Sequence, residues 1–111
     1  MRRAGLQVDL RVTGAERPLD DPIGRSAYRI VQEALTNTLK HAGLVPARVT
    51  VDYRPDDLVL EIADDGPGHA GGEETGQGLA GMRERVRLLS GELDTHTANG
   101  RGFVVRARIP T

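Results

Sequence analysis

The sequence VQEALTNTLKHAG, residues 31–43, combines an apolar stripe and a polar stripe on one predicted helix. Apolar residues recur at helical spacing from Ile23 to Leu35, which predicts a helix with one side buried in a core. Asp21 is the predicted N-cap of this helix, and Gly43 is typical of the position just past a helix end. The stretch therefore predicts a helix with one side packed in the core and with polar side chains, which could bind a ligand, on the other side.

Outside this helix, apolar and polar residues alternate, which is typical of strands with one buried face. The predicted strands are 6–12, 49–53, 58–62, 93–97 and 103–109, and the second and third flank the turn sequence RPDD as a hairpin. A second helix is predicted over 79–90, ended by Gly91. Because no strand is apolar throughout, we expect two layers, with the helices on one face of the sheet.

The composition narrows the class of protein. At 111 residues the chain is expected to form one domain, 1–111, and it has a hydrophobic share of 38% and a charged share of 28%. A net charge of -1 gives no electrostatic footprint for nucleic acid or for an anionic membrane. The absence of cysteine excludes disulfides and thiolate metal sites, and fits a reducing cytoplasm. No apolar run is long enough to span a bilayer.

The polar stripe of the first helix is a candidate site. Glu33, Asn37, Lys40 and His41 follow one another at helical spacing, so they lie along one side of the helix. An amide oxygen suits Mg²⁺, and an ammonium and an imidazole suit phosphate oxygens. The alternative is a solvated helix face whose cationic end complements the helix dipole. Tyr28 is expected in the core rather than in the site.

A carboxylate at a strand end is the second candidate. Asp64 ends the segment LEIAD and is followed by Asp65, Gly66, Pro67 and Gly68. A buried carboxylate accepts hydrogen bonds only, so it can receive an exocyclic amine such as that of adenine. Glycines let the backbone pass close to a base, although the same residues are also ordinary turn formers.

The sequence GQGLAGMRERV, residues 76–86, carries the spacing G-x-G-x-x-G at Gly76, Gly78 and Gly81. In a dinucleotide-binding fold this motif follows an early strand and opens a βαβ unit. Here it comes late, after a polar loop, so NAD binding is disfavoured. Ten of the fourteen glycines lie between Gly66 and Gly102, which indicates loops with special backbone geometry in this third of the chain.

Together these segments resemble the sequence boxes of sensor histidine kinase catalytic domains. QEALTNTLKHA resembles the N box, DDGPG the G1 box, GQGLAGMRERV the G2 box and NGRGF the Gly-x-Gly of a G3 box, in the right order and spacing. GLAGMRERV is similar to the subfamily paired with NarL-type helix-turn-helix response regulators. The resemblance implies a Bergerat-type α/β fold, a two-layer sandwich with a mixed, mostly antiparallel sheet and helices on one face.

The resemblance also implies roles for individual residues. Asn37 would ligate a Mg²⁺ ion that bridges the ATP phosphates, and Glu33 would orient or polarise groups near the γ-phosphate. Lys40 and His41 would contact phosphates, and Asp64 would accept from the adenine N6 amine. The implied nucleotide-binding set is completed by two groups of glycines and by two apolar residues of the G2 box: Gly66, Gly68, Gly76, Gly78, Leu79, Gly81 and Met82.

Two features depart from, or add to, that pattern. Phe103 follows Gly102 where many relatives have a threonine that helps to hold adenine, so that hydroxyl contact is not expected from this position. Arg83 and Arg85 of the G2 box are interpreted as surface charges on an amphipathic helix, with phosphate or partner-domain contact as the alternative.

The implied activity is transfer of the ATP γ-phosphoryl group to a histidine on a separate dimerisation domain. His41, His69 and His96 do not lie in an acceptor context, so the chain is expected to be a catalytic domain of a longer sensor protein, cytoplasmic and monomeric when isolated. Its implied partners are the phosphoacceptor domain and a NarL-type regulator, with no nucleic acid or membrane contact of its own. Alternatives are a stand-alone serine kinase of the anti-sigma-factor type and a non-catalytic nucleotide-binding module.

Overall fold

The computed structural model describes the backbone of residues 2–3, 6–42, 45–66, 76–98 and 101–111, and the side chains of 7–40, 45–66, 79–97 and 102–111. Within those ranges two helices accompany one sheet of five long strands and a two-residue edge strand. The strands are β1 (Arg2–Arg3), β2 (Leu6–Gly14), β3 (Ala47–Tyr53), β4 (Asp57–Asp64), β5 (Glu92–Ala98) and β6 (Arg101–Pro110). The helices are α1 (Asp21–Ala42) and α2 (Gly76–Arg87).

The sheet is mixed and mostly antiparallel, as predicted. Its strand order is β1-β2-β3-β4-β6-β5, and β2 and β3 form the parallel pair, with Leu10 opposite Val49. The long helix α1 connects these two strands, which is the crossover that a parallel pair requires. The hairpin of β3 and β4 turns through RPDD, where the N–H of Arg54 donates to Asp57 O at 2.9 Å. The edge strand β1 was not predicted.

The core lies between the two helices and one face of the sheet. Ile30 and Ala34 of α1 and Met82 and Val86 of α2 are buried in one cluster with inward side chains of the central strands such as Leu60. Each large apolar side chain buried in this way contributes on the order of 1.5–3 kcal/mol by leaving water. The predicted two-layer arrangement is therefore confirmed, and it fixes α1 and α2 relative to β4.

Two strands depart from the simple alternation. On β4, Val59 and Ala63 face away from the helices and are nevertheless buried, because β4 is a central strand flanked by β3 and β6. On β2, the expected buried face is incomplete: Val8 is buried, whereas Leu10 and Val12 are 49% and 48% exposed. The helices thus cover the middle of the sheet better than its β2 side.

The helix ends differ slightly from the prediction. Gly24 N–H donates to Asp20 O at 2.9 Å, so Asp20, one residue before the predicted N-cap, accepts the first helical bond of α1. The second helix begins at Gly76 and not at Leu79, and it ends at Arg87. After the last turn, Ser90 adopts the left-handed conformation, at φ 64°. A helix end of this kind usually has glycine in that conformation, and the sequence predicts Gly91 for the end of this helix. Gly43 lies outside the described residues.

Candidate functional site

The polar stripe of α1 opens onto a surface depression of about 600 Å³. Its lining residues are Tyr28, Arg29, Gln32, Glu33, Thr36, Asn37 and Lys40. Glu33, Asn37 and Lys40 are therefore brought together as predicted, while the side chain of His41 lies outside the described part. The expectation for Tyr28 was wrong: the residue is 60% exposed and itself lines the depression.

Asn37 carries an unusual polar group. Its Nδ2 atom is buried and has no hydrogen-bond partner among the described residues. A buried donor that stays unpaired costs roughly 1–3 kcal/mol, so proteins rarely leave one without a ligand or water to satisfy it. The amide also carries an oxygen of the kind that hard cations prefer. The one orphaned buried group found in the described side chains is thus at the predicted metal-ligand residue.

Glu33 is held by a residue of the other helix. Arg85 Nη1 on α2 donates to Glu33 Oε1 at 2.9 Å, and the two side chains are only 27% and 33% exposed. The interpretation of Arg85 as a plain surface charge was therefore wrong. Arg85 follows buried Met82 by three positions and precedes buried Val86 by one, so it lies on the flank of the apolar stripe. That position was readable in the sequence, but the partner was not.

Asp64 is a buried carboxylate held by neutral donors. It ends β4 and is 5% exposed. The N–H of Gly66 donates to its Oδ1 at 2.8 Å, and the Thr38 hydroxyl of α1 lies 3.3 Å from its Oδ2. Among the described side chains, no lysine or arginine forms an ion pair with it. A carboxylate has about four acceptor positions, so Asp64 keeps capacity to accept from a ligand amine.

Thr38 joins the two predicted halves of the site and was missed by sequence reasoning. It directly follows Asn37 on α1, and its hydroxyl also lies 3.2 Å from Ala34 O, so one proton serves two acceptors. A mid-helix threonine with such a back bond is common and gives no signal by itself. The residue next to Asn37 thus contacts Asp64 and connects the polar stripe to the strand-end carboxylate, although Asp64 does not itself line the depression.

The backbone around Asp64 is tightly packed. Gly102 has φ +72° and its N–H donates to Gly66 O at 2.6 Å. A Cβ atom at Gly102 would collide with the carbonyl oxygen of Asp64, so both the space and the backbone angle require glycine. Arg48 of β3 also pairs with Asp65, with Nη1 3.0 Å from Oδ1, and thereby fixes the residue that follows Asp64.

The G-x-G-x-x-G residues lie on α2. Gly76 and Gly78 fall in its first turn, and Gly81 follows in the second. A Cβ at Gly81 would meet nothing within 4 Å, so the surrounding protein does not require glycine there. Leu79 and Met82 are buried in the core, so a nucleotide would meet their backbone rather than their side chains. Gly68 lies outside the described residues, and Arg83 is exposed.

Two other kinds of site are not found among the described residues. No group of three or more acidic or histidine side chains is arranged to hold a metal ion by itself. Neither α1 nor α2 has the length and apolarity needed to cross a bilayer.

Comparison with known proteins identifies the family. The family model described as "Histidine kinase-, DNA gyrase B-, and HSP90-like ATPase" matches residues 23–111. The oxygen sensor histidine kinase NreB of Staphylococcus carnosus is 32% identical over 109 residues, which is 96% of this chain and 31% of that protein. The sensor histidine kinase YxjM of Bacillus subtilis is 33% identical over 97% of this chain and 27% of its own length. This chain thus spans about a third or less of these two relatives.

Solved structures show the same fold. The histidine kinase AdeS of Acinetobacter baumannii superposes with a TM-score of 0.76 over 96% of this chain and 55% of that one, at 20% identity. The blue-light activated histidine kinase of Erythrobacter litoralis gives 0.76 over 97% of this chain and 36% of its own, at 25% identity. The resemblance predicted from the four sequence boxes is confirmed, and the chain belongs to the family of histidine kinase-, DNA gyrase B- and HSP90-like ATPases.

Proposed function

We propose that this chain is the ATP-binding catalytic domain of a two-component sensor histidine kinase. It binds Mg-ATP and supplies the γ-phosphoryl group for phosphorylation of a histidine on a separate dimerisation domain. The observation that carries the proposal is the contact between Thr38 and Asp64. It brings a buried carboxylate, which has no ion-pair partner among the described side chains, beside the α1 stripe that contains Asn37. An adenine and a triphosphate together need both kinds of group.

The proposal assigns a role to each candidate site residue whose side chain is described. Asp64 accepts from the adenine N6 amine, which selects adenine over bases with a carbonyl at that position. Lys40 is exposed at the rim of the depression and attracts phosphate oxygens as a mobile point charge. Glu33 orients groups near the γ-phosphate, at the position where Arg85 holds it. The predicted contributions of His41, Gly66, Gly68 and the α2 glycines remain proposals on the same basis.

The residues present fit a magnesium ion. Mg²⁺ binds through one or two protein oxygens together with phosphates and water, so a cage of acidic side chains is not needed. Asn37 offers an amide oxygen, and the buried, unpaired nitrogen of the same amide supports a role of this side chain in ligand binding. The metal would neutralise phosphate charge, while the chain would orient the nucleotide. Positioning and charge neutralisation are the main demands of phosphoryl transfer.

The partners follow from the family and from the length of the chain. The relatives are sensor histidine kinases of which this chain spans 31% and 27%, so we propose that residues 1–111 act as one domain of a longer kinase. The histidine acceptor would be in its dimerisation domain, and the downstream partner a NarL-type response regulator. Because ATP is a cytoplasmic metabolite, we place this domain in the cytoplasm.

Phosphoryl transfer tests this proposal. The chain is mixed with the dimerisation domain of its parent kinase and with ATP labelled at the γ-phosphate. We expect label on the acceptor in a linkage that acid hydrolyses and base does not, as for phosphohistidine. An acid-stable linkage would support a serine kinase instead. ATP binding without any transfer would support a non-catalytic nucleotide module.

A further inference from the structure

The Glu33–Arg85 ion pair has features that an incidental surface pair lacks. It joins residues 52 positions apart on two different helices, and both side chains are about two-thirds buried. The Nη1···Oε1 distance of 2.9 Å is that of a charge-assisted hydrogen bond. The second ion pair of α2, between Arg87 and Glu84, is 3.4 Å long and its side chains are 72% and 61% exposed. The two pairs on one helix thus provide a built-in comparison.

Glu33 does not form an ion pair with the described arginines of its own helix. Arg29 precedes Glu33 by four residues on α1 and lines the same depression, a spacing that favours an ion pair along a helix. The carboxylate instead bonds to α2. As a result, the direction in which Glu33 points depends on where α2 lies. Since α2 also carries Gly78 and Gly81, two turns and one turn before Arg85, the glycine motif lies on the same helix as the arginine that holds the carboxylate.

The charges of Glu33 and Arg85 give the ion pair a role in nucleotide binding. In the proposed site Glu33 lies near the γ-phosphate, and a lone carboxylate there would repel the terminal phosphate. An arginine bonded to that carboxylate offsets the repulsion and leaves the second carboxylate oxygen available. ADP, which lacks the γ-phosphate, would gain much less from the same arginine.

We propose that Arg85 is a positioning residue for Glu33. Arg85 holds the Glu33 carboxylate against α2 and compensates the negative charge of that carboxylate, so that the site tolerates the γ-phosphate. The inference rests on the proposed function and adds to it a discrimination between ATP and ADP. Because Arg85 compensates the charge of Glu33, removing both charges together should leave the ATP to ADP ratio close to its wild-type value.

The test is the ratio of ATP to ADP affinity, measured by calorimetry in the presence of Mg²⁺. Arg85→Gln should lower that ratio by about three- to tenfold, the effect of one partly screened charge at close range. Glu33→Gln should raise it, and Glu33→Gln with Arg85→Gln should restore it to within about twofold of wild type. Arg85→Lys, which keeps the charge, should retain most of the wild-type ratio. The control Arg87→Gln should leave it unchanged.

The outcomes separate this inference from the proposed function. If wild type binds neither nucleotide, the proposed function fails. If wild type binds ATP but Arg85→Gln leaves the ATP to ADP ratio unchanged, or the double variant does not restore it, the positioning role is overturned. A merely structural pair would weaken both nucleotides alike and lower the thermal midpoint. Should Arg85→Gln not fold, Glu33→Gln still decides, because a fall in its ratio contradicts the proposal.

Discussion

The Thr38 hydroxyl of α1 lies 3.3 Å from the Oδ2 atom of Asp64 at the end of β4. This contact ties the helix that carries Glu33, Asn37 and Lys40 to the strand that carries the buried carboxylate. Because the Asp64 Oδ1 atom is bonded to Gly66 N–H, the carboxylate is also fixed to the loop that follows it. Two segments that are 26 residues apart in the chain are therefore in direct contact.

Asp64→Asn should change the choice of nucleobase. Asparagine keeps an oxygen that can accept from Gly66 N–H, but it replaces the other acceptor with an NH₂ donor. We expect ATP affinity to fall by roughly tenfold to a hundredfold, the value of one hydrogen bond to a charged group. Inosine triphosphate, which has a carbonyl in place of the amine, should lose less or gain. Calorimetry with both nucleotides checks this, and an equal loss for both would show that Asp64 does not read the base.

Gly81→Ala should separate stability from binding. A Cβ at Gly81 meets open space in the protein, so alanine should stabilise α2 by about 0.5–1 kcal/mol. If this part of α2 approaches the nucleotide, ATP affinity should nevertheless fall. Gly24→Ala is the matched control, since a Cβ there also meets nothing within 4 Å and Gly24 lies in the first turn of α1, away from the stripe. Equal ATP affinity in both variants would exclude Gly81 from the site.

Lys40 allows a direct test because it is the only lysine in the sequence. Acetylation by an N-hydroxysuccinimide ester, followed by mass spectrometry, then reports on Lys40 and on the amino terminus alone. Mg-ATP at about ten times its Kd leaves about a tenth of the sites free, so acetylation of Lys40 should slow by up to about tenfold. The amino terminus is the internal control. Equal rates at Lys40 with and without nucleotide would place the phosphates elsewhere.

Gly102→Ala should be strongly destabilising. The left-handed backbone at φ +72° costs a side-chain-bearing residue about 1–2 kcal/mol, and the collision with Asp64 O adds about 1–3 kcal/mol of overpacking. Urea denaturation should therefore show a loss of about 2–5 kcal/mol in the free energy of unfolding. A loss below about 1 kcal/mol would mean that Asp64 and Gly102 do not approach as closely as the structure has them.

The periodicity of apolar residues predicted most of the fold, because it reflects which face of each helix or strand is buried. Alternation in 58–62 and the stripe from Ile23 to Leu35 each reflect burial on one face, and β4 and α1 bear this out. The exceptions depend on neighbours in space. Burial of Val59 on the outer face requires knowing that β4 is central, and the left-handed turn at Ser90 requires the geometry of the helix end.

The candidate site was predicted less completely. Spacing along one helix was enough to gather Glu33, Asn37 and Lys40. The contacts of Arg85 with Glu33 and of Thr38 with Asp64 cross between elements, so they depend on how α1, α2 and β4 are packed. The G2 box also proved to be helical from Gly76 onward, whereas its first glycines were expected in a loop.

The most direct test of the proposed ATP site is a calorimetric titration of Mg-ATP into wild type, Asn37→Ala and Asp64→Asn. In the proposed site, the amide on α1 and the carboxylate on β4 bind the two ends of one nucleotide. We expect a loss of at least about tenfold in affinity for each variant, with the Asn37→Ala loss largely disappearing when EDTA removes the metal. Unchanged affinity in both variants would contradict it.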